Sequence, residues 1–281
     1  MRESIESILC QTYSNWELLI IDDFSSDQTA QIAKHYAELD SRIHFFQNQE
    51  NLRLPKTLNK GFSLASGEYL TWTSDDNFYY PSAFSKMVLK LKEGADFVFA
   101  SCDIIDEHGT VIEEIAVTEE SPKRLIGTDT VGACFLYTRA VYEAVGDYDP
   151  EMILVEDYDY WLRVHKYFQS ATISEKLYAY RQHSTSLTGT EGAAKISAAC
   201  EQAILKHRPP LKTLDFLSKY YLYEGLYRCR IAMGDKKNIY RQPYRQYRLW
   251  YLLFILYPKR VQQYGILGSF RRLAFKLRKS A

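Results

Sequence analysis

Two pairs of neighbouring aspartates carry the densest chemical information in this chain. Asp22-Asp23 follows the apolar run Leu18-Leu19-Ile20-Ile21, and Asp75-Asp76-Asn77 follows Tyr69-Leu70-Thr71-Trp72-Thr73-Ser74. Each pair stands where a strand would end, and in open α/β sheets ligands gather at the carboxyl ends of strands. Adjacent carboxylates repel each other unless a cation or hydrogen-bond donors lie between them. A divalent metal carrying a nucleotide diphosphate meets that need, because Mg2+ or Mn2+ takes one or two carboxylates plus phosphate oxygens. A plain turn is the competing reading of Asp75-Asp76, since Asp-Asp-Asn also builds Asx-turns ahead of Pro81. At Asp22-Asp23 a carboxylate could accept from a nucleobase N–H. The alternative is capping of the next helix together with Ser25, Ser26 and Asp27.

A third acidic group, Glu156-Asp157 with Asp159 just after, opens a helical pattern. Carboxylates suit the dipole of a first helical turn. One placed over a ligand cleft could also take a proton from an attacking hydroxyl. Arg181 and His183, in the run from Tyr180 to Thr188, could meet a diphosphate or a metal; Arg181 could equally pair with a surface carboxylate, and a lone histidine is often neither ligand nor contact.

The elements that must position these groups follow from periodicity. Ile5, Ile8, Leu9 and Tyr13 fit one helix face; Ile32, Ala33, Tyr36 and Leu39 fit a second; Leu58, Phe62 and Ala65 fit a third, with Gly67 as its stop. Pro81 opens a helix carrying Phe84, Met87, Val88 and Leu91. Strands are expected at 18–21, 43–46, 69–73 and 96–101. Such alternation predicts an α/β fold with a mostly parallel sheet flanked by helices. Val111 to Ile115, Cys134 to Tyr137 and Leu177 to Arg181 read as further extended segments, and Glu156 to Tyr167 as a helix.

The chain has 281 residues, with 35 basic and 35 acidic side chains that cancel. The balance hides a polarity. From Glu201 onward there are 18 Lys and Arg against 4 Asp and Glu, leaving 17 against 31 in residues 1–200. That reversal marks a boundary between residues 1–192 and a basic, aromatic, helical region at 193–281. The five cysteines are scattered without C-x-x-C spacing, which argues for free thiols rather than a disulfide frame or zinc site. The longest apolar run, Leu249 to Tyr257, is too short to span a bilayer. With its basic neighbours Arg248, Lys259 and Arg260 it could lie against an anionic membrane surface; the alternative is a helical cap with its aromatic residues buried. No nucleic-acid-binding module is visible.

Taken in order, these segments resemble the family 2 glycosyltransferases, whose nucleotide-diphospho-sugar-binding fold is termed GT-A. The resemblance runs from Glu3 to about Thr188. It rests on Ser4 to Tyr13, Trp16 to Asp27, Gly67-Glu68-Tyr69 leading to Thr73-Ser74-Asp75-Asp76-Asn77, Gly132 to Tyr137, Val145 to Asp149, and Glu156 to Arg163. It implies a metal-dependent inverting transfer from a nucleotide sugar, UDP-linked, to a saccharide or lipid-linked glycan, in surface polysaccharide assembly. The setting it implies is cytoplasmic, peripheral on the inner face of the membrane. Asp22 and Asp23 fall at the donor base, with Arg53 and Lys56 as diphosphate or base contacts. Asp75 and Asp76 form the metal motif, with Asp76 touching Mn2+ or Mg2+. His183 falls where a second metal contact is expected and Arg181 where a phosphate contact is. Asp157 falls at the general base, and Gly132, Ala133 and Glu156 at the acceptor or transferred sugar.

The chain departs from the family at its start. Members begin with an apolar strand and a loop ahead of the first helix, whereas Met1 falls inside that helix. The resemblance therefore implies unpaired backbone on both neighbours of a central strand, and a chain that folds poorly or lacks activity. Two rival readings follow: an inactive remnant that docks to membranes or partners, and a nucleotidyltransferase, which would need a Gly-rich phosphate loop absent here.

Overall fold

A computed structural model describes residues 1–184, 186 and 190–256. Thr185, Leu187 and Thr188, and the basic segment from Tyr257 that holds Lys259 and Arg260, lie outside the described residues. The elements are α1 (Arg2–Leu9), β1 (Leu18–Asp22), α2 (Thr29–Leu39), β2 (Ile43–Gln47), α3 (Leu54–Leu64), β3 (Tyr69–Leu70), β4 (Phe78–Tyr79), α4 (Ala83–Lys92), β5 (Phe97–Ile105), β6 (Val111–Ile115), α5 (Ser121–Arg124), β7 (Phe135–Thr138), α6 (Arg139–Val145), α7 (Glu156–His165) and β8 (Ser170–Arg181). Three helices follow: α8 (Ala193–His207), α9 (Phe216–Ala232) and α10 (Arg241–Leu256).

The α/β class is as expected, but the sheet is less parallel and is in two pieces. β1 pairs only with β2, in parallel. The larger sheet runs β3-β7-β5-β8-β4 with β6 on β5; there only β5 and β8 are parallel. Helical periodicity identifies crossovers but does not fix strand direction, and both β7 and β4 enter antiparallel to their neighbours.

The expected strand over 69–73 shortens to Tyr69–Leu70. Its far edge, like that of β1, has no strand partner among the described residues. Leu18 N–H bonds Arg42 O toward β2 at 2.9 Å, so the alternate N–H groups of Leu19 and Ile21 point away from β2. A cavity of about 480 Å³ lies between Leu19 and Ile21 on one side and Leu70 to Thr73 on the other. Glu17 ties the two pieces together at their amino ends, its Oε1 accepting from Ser66 N–H at 2.6 Å and Gly67 N–H at 2.8 Å.

The core is aromatic. Trp161, Tyr137, Tyr148, Tyr158, Tyr160, Phe97, Phe99 and Phe135 are essentially fully buried. Trp161 stacks on Phe97 with centroids 4.9 Å apart, and Tyr148 stacks on Tyr160 at 4.3 Å. Each such side chain contributes roughly 1.5–3 kcal/mol by leaving water. Packing continues across residue 193: Ala203 and Ile204 of α8, and Leu222 and Leu226 of α9, belong to the same cluster. Asp159 in α7 fastens α8, accepting from Lys206 Nζ at 2.8 Å and pairing with His207 Nε2 at 2.7 Å.

Tyrosines of α9 and α10 stack on one another. Tyr220 stacks on Tyr251 at 4.4 Å, Tyr227 on Tyr244 at 4.6 Å and Tyr223 on Tyr247 at 5.5 Å. These stacks zip α9 to α10.

Candidate active site

Asp22 closes β1 and is buried. Its Oδ1 accepts from Ser25 N–H at 3.2 Å and its Oδ2 from the Gln47 amide at 2.8 Å. Both oxygens accept within the chain, so Asp22 braces β1, β2 and the following turn. Asp23 gathers the loop ahead of α3. Its Oδ1 accepts from Asn48 Nδ2 at 2.7 Å and Leu52 N–H at 2.8 Å, and its Oδ2 from Arg53 N–H at 2.8 Å. Burial pulls this carboxyl upward, but the hydrogen bonds outweigh it and hold it below the ordinary range. Phe24 and Arg53, on either side of this contact, both take positive φ, at 69° and 67°. Non-glycine residues hold that conformation only where surroundings impose it. The Arg53 and Lys56 side chains stand exposed at the rim.

The second pair lies in the turn between β3 and β4. Asp75 is exposed; Asp76 turns inward, with Oδ2 2.9 Å from His183 Nε2. Asp76 Oδ1 is buried and accepts no hydrogen bond. A buried carboxylate oxygen without a donor is costly, and a hard cation would satisfy it. Asp76 with His183 thus fits an Mn2+ or Mg2+ ion. Among the described residues no group of three or more His, Cys, Asp or Glu could hold a metal, so phosphate oxygens would complete the shell. Arg181, at the end of β8, braces this turn: its Nε donates to Asp76 O at 3.0 Å and its Nη1 to Asp106 O at 3.0 Å, while its Nη2 contacts Glu3. The guanidinium of Arg181 thus stands beside the Asp76 turn, held by contacts within the chain.

Asp157 sits in the first turn of α7 and accepts from its own neighbour, Tyr158 N–H, at 2.7 Å. Burial raises its carboxyl above the ordinary range. Glu156 is nearly inaccessible, and its Oε2 has no hydrogen-bond partner. Burial, then the charge of Asp157, raises Glu156 to about 7. Asp129, absent from the sequence-based site, joins them: burial and then Asp157 raise it to about 7 as well. Its Oδ1 accepts from Val131 N–H at 2.9 Å and lies 3.5 Å from Gly132 N, so it shapes the turn that holds Gly132, at φ +65°, and Ala133. Only its type, an acid in a polar loop, hinted at this role.

Tyr148 links the acidic centres. Asn59 of α3 binds both main-chain groups of Tyr148, at 2.8 and 2.9 Å. Trp72, four residues before Asp76, donates from Nε1 to the Tyr148 hydroxyl at 3.1 Å. The charge of Asp157 is felt at that hydroxyl, whose proton burial holds well above the usual tyrosine range.

The α/β body, with its curled sheet and flanking helices, has the GT-A fold, and the solved structures agree. TarS 1-349 of S. aureus in complex with UDP superposes with a TM-score of 0.60 at 16% identity, over 96% of this chain and 75% of that one. Its UDP-GlcNAc complex gives 0.62 at 17% identity, over 88% and 75%. The description "Glycosyl transferase family 2" matches residues 1–146. "Putative glycosyltransferase EpsE" of Bacillus subtilis (strain 168) is 31% identical over 251 residues, covering 86% of this chain and 90% of that protein. "Putative glycosyltransferase EpsH" of the same strain is 30% identical over 201 residues, covering 66% and 58%. The chain belongs to glycosyl transferase family 2 and is a glycosyltransferase. The nucleotidyltransferase reading falls with that match. Among the described residues no helix is long and apolar enough to cross a membrane.

Proposed function

We propose that the chain transfers a sugar from a UDP-linked donor to a hydroxyl of a saccharide or lipid-linked glycan, with inversion at the anomeric carbon. The observation that carries the reading is the Asp76 carboxylate, half paired with His183 and half orphaned, at the end of the 69–74 segment. A divalent cation bound there would neutralise the departing diphosphate. The half-buried Asp157 takes the proton of the acceptor hydroxyl as its oxygen bonds the anomeric carbon and the bond to the diphosphate breaks. A carboxyl that burial raises above the ordinary aspartate range is a stronger base than an ordinary aspartate. Asp23 fixes the loop that carries Arg53 and Lys56 toward the nucleotide. Gly132, Ala133 and Glu156 line the sugar side. The UDP and UDP-GlcNAc complexes of TarS support UDP-GlcNAc as the first donor to test. UDP or GDP release is measured over a panel of nucleotide sugars with Mn2+ or Mg2+ and saccharide acceptors. Release from UDP-sugars alone supports the reading; a preference for GDP-sugars contradicts it.

A second reading concerns the cellular setting. The outer face of α10 exposes Leu249, Leu252, Ile255 and Leu256 beside Arg241, Arg245 and Arg248, and the helix contains no acidic residue. Aliphatic side chains flanked by arginine suit an anionic lipid surface. Such a contact would bring the active site to a lipid-linked acceptor at the inner face of the cell membrane, in surface polysaccharide assembly.

A further inference from the structure

Phe24 follows the last residues of β1, and two features set it apart from an ordinary loop residue. Its side chain is 58% exposed. Its φ is 69°, in the left-handed region that costs a side-chain-bearing residue energy. Glycine would adopt that φ freely. An exposed aromatic ring on a strained backbone adds little to the packing of the chain, so the strain must be imposed from outside the residue.

Hydrogen bonds on both sides impose it. Before Phe24, the Asp23 carboxylate accepts from Leu52 N–H and from Arg53 N–H, both at 2.8 Å. After it, Ser25 N–H donates to Asp22 Oδ1 at 3.2 Å. Asp23 is itself held from beneath. Asn48, which is buried, donates to Asp23 Oδ1 at 2.7 Å and to Thr57 Oγ1 at 3.2 Å. The Asn48 Oδ1 accepts from Lys60 Nζ at 2.6 Å. One carboxylate thus ties together two exposed residues of left-handed backbone: Phe24, with a flat apolar ring, and Arg53, at φ 67°, with a guanidinium. Both stand at the carboxyl end of β1, where ligands of open α/β sheets gather. A ring pre-set by backbone hydrogen bonds loses little freedom when a flat partner covers it. Every nucleobase offers such a face.

We propose that Phe24 is a stacking platform for the nucleobase of the sugar donor, held ready by the hydrogen bonds of Asp23, with Arg53 beside it for the charged part of the nucleotide. This inference rests on the reading of the chain as a nucleotide-sugar transferase that binds its donor at the end of β1. The strain at Phe24 is then the cost of presenting the ring before the nucleotide arrives. Stacking supplies affinity for the base but little choice among bases, because it uses the ring face and not the base edge.

The test needs no turnover. The full chain is titrated calorimetrically with UDP, GDP and inorganic pyrophosphate, each with Mn2+, as wild type, Phe24→Gly, Phe24→Ala and Phe24→Tyr. Phe24→Gly and Phe24→Ala should weaken the nucleotide that wild type prefers by about fivefold or more. Phe24→Tyr should stay within about twofold of wild type, because it keeps the ring face. Pyrophosphate, which has no base, should bind all four alike. Thermal unfolding separates a binding role from a packing role: Phe24→Gly should melt at or above wild type, because glycine relieves the strain. Nucleotide affinity in Phe24→Gly within about twofold of wild type overturns the proposal. So does an equal loss for pyrophosphate, or a Phe24→Gly variant that melts below wild type. A wild-type preference for GDP would contradict the UDP donor proposed above, yet a loss of GDP binding in Phe24→Gly would still support the stack. A wild-type chain that binds neither nucleotide overturns both.

Discussion

The Nε2 of His183 lies 2.9 Å from Oδ2 of Asp76, across a sequence gap that β4 and β8 close by pairing Phe78 with Ala179 and Tyr79 with Tyr178. The contact follows from that antiparallel register, because Asp76 lies just before β4 and His183 just after β8, at the same end of the pair. It leaves Oδ1 of Asp76 free for a cation. Asp76→Ala should weaken Mn2+-dependent UDP binding by about 10- to 100-fold, and His183→Ala by a similar or smaller factor. Calorimetric titration of UDP with and without Mn2+ measures this. Equal UDP affinity in wild type and Asp76→Ala would remove the metal role.

Two sets of acids should give stability opposite slopes with pH. Burial and Asp157 raise Asp129 and Glu156 to about 7. A carboxyl raised in the fold favours the folded state while protonated, and that contribution is lost as pH rises through about 7. Burial opposes Asp159, but His207, Lys206 and Arg163 outweigh it and hold its carboxyl at about 2. Its contribution is present above the ordinary carboxyl range and is lost as pH falls toward about 2. Glu156→Gln should therefore raise Tm near pH 8 and leave it little changed near pH 4. Asp159→Asn should cost about 3–5 kcal/mol at neutral pH by stranding buried partners. Thermal and urea unfolding across pH check both; a Glu156→Gln variant no more stable than wild type near pH 8 would contradict the first.

The lipid-facing reading of α10 predicts flotation of the full chain with vesicles of phosphatidylcholine and phosphatidylserine at low salt. Arg245→Ala and Arg248→Ala should each reduce binding by about fivefold. Leu252→Asp should reduce it further. Absence of flotation at low salt would end this reading.

Much of the scaffold was legible because its signals are local. Pro81 with Phe84, Met87, Val88 and Leu91 marks α4, and those four side chains are buried. The run from Phe97 forms the central strand β5, buried almost throughout. Aspartates at strand ends placed Asp76 and Asp23 at the rim. Strand direction was not legible, because periodicity is blind to it. The bonds of Asp22 to Gln47 and of Arg181 to Glu3 and Asp106 were not legible, because those partners are distant in sequence. Asp129 was invisible for the same reason: its setting depends on Gly127 meeting Gly225 in a helix far along the chain. The tail's tyrosines were ambiguous until the register of α9 against α10 stacked them.

The central claim is that one acid holds the donor side and another moves the proton. UDP release by Asp157→Asn at saturating donor, acceptor and Mn2+ tests it most directly. The account predicts a loss of about 10²–10⁴-fold in kcat, with KM for the donor within about threefold of wild type. Turnover within a few-fold of wild type would show that another group accepts the proton.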